Sequence, residues 1–270
     1  MKRLDGKIVV VAGGSAGIGR ATAQRCAEEG ANVVVLARGR KRLAETCASI
    51  GEQATGIQCD IADPQSVCKA FGQIAERFER IDALLNVAGV ARIRRIEEAS
   101  DDDIAAVFGT NLLGPVYTAR SAIPLLRASG GGDIVNVSSE ITGDYLPYMV
   151  LYGASKSGLE TLSRMLVHEL KPDNIRVTNY VSGTTTGTDF GTNFAEADVA
   201  KAYPDWVESG YLTRVAGPGQ DVAWMADVFV FLLTRPPGQM IDVVHVRSAA
   251  TGSAQMSAQM SAQTLAQPPS

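Results

Sequence analysis

The stretch KIVVVAGGSAGIGRA, residues 7–21, constrains the fold more than any other part of the chain. A β-branched run ends at Ala12, a helical pattern follows, and Gly13, Gly17 and Gly19 mark the junction in the spacing GxxxGxG. Glycines there let the chain turn sharply and bring backbone amides close to an anion at a helix N-terminus, where the helix dipole favours negative charge. Strand, glycine turn and helix in that order predict a pyrophosphate cradle, with Ser15, Ala16 and Ile18 completing the turn.

The rest of the chain repeats the same alternation. Short apolar runs at residues 7–12, 32–37, 83–87, 133–139 and 175–181 lack strict polar alternation, as strands covered on both faces do. Between them lie helical patterns, one ending at Gly30 and one starting at Pro64. A helical stretch over 220–233 and a late strand over 240–246 close the series. This order predicts an α/β fold, a single-domain Rossmann-type doubly wound parallel sheet with helices on both faces. With 270 residues, 46% hydrophobic, the chain can bury one large core, placed here over residues 1–250. Residues 251–270 repeat SAQM and lose apolar content, which reads as a flexible tail or a docking appendage.

Several function classes fall away. A formal net charge of −4 argues against a nucleic-acid partner. No apolar run is long enough for a membrane span and no signal-like start is visible, so a cytoplasmic protein is expected. Cys26, Cys47, Cys59 and Cys68 lack CxxC spacing and read as small apolar fillers, with no metal site expected.

The second strand ends in VVVLARGRKRL. A carboxylate there would hold the 2′-hydroxyl of NAD, but Arg38 occupies the position, and a guanidinium suits the 2′-phosphate of NADP(H). Lys41 and Arg42 read as decoration of a solvated helix start. Asp60, after the third strand, could meet the adenine edge or simply form an Asx turn.

In YGASK, Tyr152 and Lys156 stand four residues apart at the start of an amphipathic helix, which puts phenol and ammonium on one face. Ser139 ends the fifth strand, and Asn111 lies in GTNLLG between the fourth and fifth. With GGSAGIG, CDIAD, NVAG, TNLLGP, IVNVSS, YGASK and IRVTNYVSG in sequence, the chain resembles the short-chain dehydrogenase/reductase family from about Leu4 to Val246. The resemblance implies a catalytic tetrad of Asn111, Ser139, Tyr152 and Lys156. Tyr152 is the expected general acid/base, its phenolate favoured by Lys156 and a cationic nicotinamide; Ser139 polarises the substrate oxygen; Lys156 also holds the nicotinamide ribose; Asn111 acts through a water. It further implies dinucleotide contacts at Ile61, Asn86, Ala88, Gly89, Gly183 and Thr185, besides Tyr152 and Lys156. The expected reaction is hydride transfer between NADP(H) and a carbonyl or secondary alcohol.

The chain departs from the family pattern at Ala12, at NVAG and at Ser182, where a proline usually precedes Gly183, so that loop is expected to be looser. TRPP at 234–237 and GTDF at 187–190 resemble NADP-dependent carbonyl reductases and hydroxy-acid dehydrogenases. The substrate is expected between Glu140, Tyr145, Tyr148 and Met149 on one side and Phe190, Phe194, Tyr203, Trp206 and Tyr211 on the other. Glu140 either points inward and repels anions or faces solvent, while Lys201 and Arg214 could grip a carboxylate. A homotetramer is the implied assembly, with a dimer next. Two other readings share the fold: a non-catalytic dinucleotide sensor or scaffold, and an epimerase that uses the nicotinamide transiently.

Overall fold

The computed structural model describes residues 2–191, 194–214 and 219–249. The expected tail over 251–270 and the Arg214 side chain lie outside the described residues.

Seven parallel strands form the central sheet: β1 (Ile8–Ala12), β2 (Asn32–Ala37), β3 (Ala54–Gln58), β4 (Ala83–Asn86), β5 (Gly132–Ser139), β6 (Ile175–Ser182) and β9 (Val243–Val246). Their order is β3-β2-β1-β4-β5-β6-β9, so the direction of winding reverses at β1 and opens a crevice beside β4 at the carboxyl ends of the strands. Two short strands, β7 (Thr185–Thr186) and β8 (Gln220–Asp221), pair outside this sheet.

Side chains alternate across the pleat and divide the core in two. Val10, Val34, Leu84, Ile134 and Val177 meet α3 (Pro64–Phe78), α5 (Gly114–Ala128) and α6 (Val150–Glu169). Val9, Val11, Val35, Leu85, Val135 and Tyr180 meet α1 (Gly17–Glu28), α2 (Arg40–Ile50) and α9 (Val222–Thr234). Each such aliphatic side chain removed from water contributes about 1.5–3 kcal/mol, which is why these strands carry apolar residues on both faces. Phe229 of α9 stacks on Tyr180 at 4.6 Å between ring centroids, fixing the last helix to the sheet. Cys26 and Cys59 are buried and Cys47 packs at Gly56, where a Cβ would lie 2.8 Å from its sulfur, so these three fill space as expected, whereas Cys68 is exposed and does not.

Two boundaries differ from the sequence reading. The expected helix over 220–233 starts at Val222, because Gln220 and Asp221 pair with Thr185 and Thr186 and Asp221 caps the helix by accepting from the Ala223 amide at 2.8 Å. The late strand starts at Val243, where its ladder with β6 begins. The remaining helices are α4 (Asp101–Phe108), α7 (Glu196–Glu208) and α8 (Tyr211–Arg214), and a π turn at Gly109–Leu113 links α4 to α5. No described helix is long and apolar enough to cross a membrane.

Candidate active site

The site is built at the carboxyl ends of β1, β4, β5 and β6. Gly13 leaves β1 at φ 89° with its Cα against Ala88; a Cβ there would lie 2.6 Å from the Ala88 nitrogen. A Cβ on Gly19 would lie 2.2 Å from the Gly13 carbonyl oxygen, so only glycine lets the first turn of α1 close onto the strand. The N-cap of α1 is Ala16, which supplies no side-chain acceptor, and its first turn holds no acidic residue. The leading amides of α1 therefore lack an anionic partner from the chain and fit a pyrophosphate.

Ser139 ends β5, and its hydroxyl, which accepts from the Ile141 amide at 3.4 Å, stands beside Tyr152 on the first turn of α6. Tyr152 is buried, and burial pushes its phenol up to about 12, with the neighbouring Ser139 hydroxyl acting in the opposite sense. Lys156, one turn further along the same face, is also buried and pushed down to about 8 by that burial. Its Nζ lies 5.9 Å from the Tyr152 ring centroid and donates to the Val137 carbonyl at 2.7 Å. The expected acidified phenol is therefore not a property of the chain alone, because burial raises it above the ordinary tyrosine value.

Asn111 sits in the π turn, which turns its amide inward. It donates to the Val90 carbonyl at 2.8 Å and to Ser155 Oγ at 2.9 Å, and accepts from the Val90 amide at 2.9 Å. Gly89 lies between Asn111 and the lysine: a Cβ there would be 3.4 Å from Lys156 Nζ and 3.8 Å from Asn111 Oδ1. The missing side chain leaves room beside the ammonium for a water or a sugar hydroxyl.

Other expected contacts are placed differently. Asn86 gives both amide atoms to the core, donating to Asn136 Oδ1 at 2.8 Å and accepting from Thr118 at 2.8 Å. Only its backbone can meet a ligand. Ile61 is buried in the core beneath Gly114. Asp60 forms the Asx turn, accepting from the Ala62 amide at 3.1 Å. Thr185 directs its hydroxyl to the Gly183 carbonyl at 2.9 Å and the Met225 sulfur at 2.9 Å, whereas Thr188 stands over the glycine turn, 3.3 Å from where a Gly17 Cβ would be. Arg38 is exposed at the end of β2, beside the crevice.

An apolar cluster packs around Tyr152. Phe190 lies 5.4 Å from the Tyr152 ring, and Ile93, Ile141, Met149 and Trp206 pack in the same cluster. Tyr145 and Tyr203 are exposed and do not belong to it. Trp206 is anchored by donation to the Pro147 carbonyl at 2.7 Å. Helix α7 is tied down by the pairs Arg94–Asp198, Lys201–Glu98 and Arg95–Asp205, so Lys201 already has a carboxylate partner within the chain. Ile93 and Ile141 carried no sequence signal, being apolar residues in irregular segments. Arg42, which resembled helix decoration, forms an ion pair with Asp189 at 2.7 Å.

The comparisons with known proteins agree with this geometry. The chain matches the short chain dehydrogenase family over residues 7–198. It is 33% identical over 231 residues to carbonyl reductase family member 4 of Danio rerio, covering 85% of this chain and 92% of that one. It is 36% identical over 192 residues to D-threitol dehydrogenase of Mycolicibacterium smegmatis, covering 70% of this chain and 74% of the relative. The structure of L-sorbose reductase from Gluconobacter frateurii, complexed with NADPH and L-sorbose, superimposes with a TM-score of 0.80 at 30% identity, covering 91% of this chain and 97% of that chain. A glycine turn closed against Ala88, a serine beside a buried tyrosine, and a lysine one helical turn beyond thus accompany a match across most of the chain, and the protein belongs to the short chain dehydrogenase family.

Proposed function

We propose that the protein is an NADP(H)-dependent oxidoreductase that interconverts a carbonyl and a secondary alcohol. The observation that carries this reading is the buried Tyr152, beside Ser139 and backed by Lys156 at the carboxyl edge of the sheet. When bound, the cofactor supplies or accepts the hydride. In the reductive direction Ser139 and Tyr152 both donate to the substrate oxygen, and Tyr152 passes its proton to that oxygen as the alcohol forms. In the oxidative direction the phenol must first lose its proton, and burial opposes this, so Lys156 and the charge of the oxidised ring together must offset it. Asn111 holds the Val90 backbone and Ser155, keeping the space around Gly89 open beside the ammonium.

The preference for NADP(H) rests on Arg38, exposed where a carboxylate would otherwise hold a 2′-hydroxyl, and on the NADPH in the L-sorbose reductase structure. The apolar cluster of Ile93, Ile141, Phe190 and Trp206 around Tyr152 favours a substrate with an apolar substituent next to the reacting carbon. The relation to the carbonyl reductase of Danio rerio supports the same chemistry. A substrate screen following NADPH and NADH absorbance in parallel tests the proposal. Turnover with NADPH that disappears in Tyr152→Phe is the expected result. Dinucleotide binding without turnover on any carbonyl or alcohol, in wild type as in Tyr152→Phe, would favour a sensor or scaffold.

A further inference from the structure

Glu140 is the residue after Ser139 and begins a 3-10 turn. The sequence allowed it to face either solvent or substrate, and it does neither. It is 6% exposed and borders a cavity of about 210 Å³ between α6 and the edge strand β9. Neither carboxylate oxygen completes a hydrogen bond among the described residues. His245 Nε2 is 3.7 Å from Oε2, and the Thr184 amide approaches the carboxylate without closing a bond. On the other side, Oε2 would lie 2.9 Å from a Cβ on Gly183. The carboxylate is thus wedged between the backbone of the catalytic serine and the turn at 182–184, and an uncharged side chain of equal size would fill the same space. Its distinctive consequence is electrostatic.

We infer that Glu140 is a specificity-determining residue that discriminates between the two redox forms of the nicotinamide cofactor, favouring the oxidised, cationic ring. The inference rests on the function proposed above. The oxidised and reduced rings differ by one positive charge, so a weakly solvated negative charge behind Ser139 and Gly183 acts on one form and hardly on the other. Lys156 acts in the opposite sense from its place on the Val137 carbonyl, which makes the carboxylate the counterweight to that buried ammonium.

The groups that face Glu140 set the pH behaviour. His245 and Arg247 approach from β9 and the segment after it, Tyr211 from α8, Glu160 and Arg164 from α6, and Asp144 from the loop that follows the 3-10 turn. Burial raises the Glu140 carboxyl above the usual range, with the Thr184 amide, His245 and Arg247 lowering it in part. The discrimination is present while the carboxylate is ionised and lost as pH falls through that raised value. Preference for the oxidised form therefore grows with pH as the Glu140 carboxyl ionises.

The test is titration of the full chain with NADP+ and with NADPH separately, followed by tryptophan fluorescence. Glu140→Gln is expected to weaken NADP+ binding by about fivefold while NADPH stays within about twofold, and Glu140→Asp to keep the wild-type ratio. His245→Arg, at a half-exposed position, is expected to shift the ratio the same way and decides the matter should Glu140→Gln fail to fold. An unchanged ratio in both variants, or equal weakening of both forms, overturns the inference while leaving the proposed function standing. A wild-type chain that binds neither dinucleotide overturns both.

Discussion

The Arg42 guanidinium lies 2.7 Å from the Asp189 carboxylate and joins the first turn of α2 to the segment whose next residue, Phe190, covers Tyr152. Thr188, one residue earlier, rests over Gly17, so the ion pair closes a strap across the dinucleotide crevice. Both partners are half-exposed, and such pairs are worth about 0.2–1 kcal/mol, too little to matter for folding but enough to change how long a ligand stays. Arg42→Ala is expected to accelerate NADPH release up to about fivefold without a measurable change in unfolding midpoint. Stopped-flow fluorescence checks this, and the difference should vanish at high salt, where the pair is screened. Release as slow as wild type at low salt would show that the strap is held by its apolar contacts alone.

Lys156 buries an ammonium whose deprotonation is shifted from the usual lysine range down to about 8. The unfolded chain keeps that proton up to the ordinary lysine value, so between the two the unfolded state binds more protons and stability rises with pH. Lys156→Met removes the buried charge. It is expected to abolish turnover yet stabilise the ligand-free chain by about 1–2 kcal/mol near neutral pH, an advantage that shrinks as pH rises past about 8. Urea unfolding at pH 7 and pH 9.5 measures it. A variant less stable than wild type at pH 7 would mean that the bond to the Val137 carbonyl outweighs the desolvation cost.

Asn86 connects two strands and two helices through a buried chain of hydrogen bonds that continues from Asn136 to Ser163 at 2.9 Å. Removing its amide leaves the buried Asn136 Oδ1 without its donor and takes from the Thr118 hydroxyl one of its three acceptors. Asn86→Ala should cost about 2–3 kcal/mol of stability while leaving NADPH affinity within about twofold of wild type. Denaturant unfolding and a binding titration separate the two effects. Lost affinity with unchanged stability would make the side chain a ligand contact after all.

Among the described residues, Leu113, Val150 and Met165 are exposed around α6, and Trp224, Phe231 and Val243 on α9 and the edge strand. Two independent faces, each joined to its copy about a twofold axis, make a homotetramer. Light scattering is expected to give four times the chain mass for wild type. Phe231→Glu with Trp224→Lys should reduce it to a dimer, since the α6 face remains. A monomeric wild type would exclude this assembly.

Some of this chemistry is local and was legible in the chain. Glycine spacing after a strand fixes a close backbone approach, and four residues of helix place Tyr152 and Lys156 on one face, because both depend only on geometry within a single turn. Apolar runs without alternation likewise determined a sheet covered on both sides. What the tertiary structure alone decided involves residues far apart in sequence: Arg42 with Asp189, the Asn86 network, Glu140 behind Gly183, and Thr188 over Gly17. The sign of the shift on Tyr152 belongs there too. Desolvation is set by everything packed around a group, and no neighbour in sequence reports how much water the folded chain has removed.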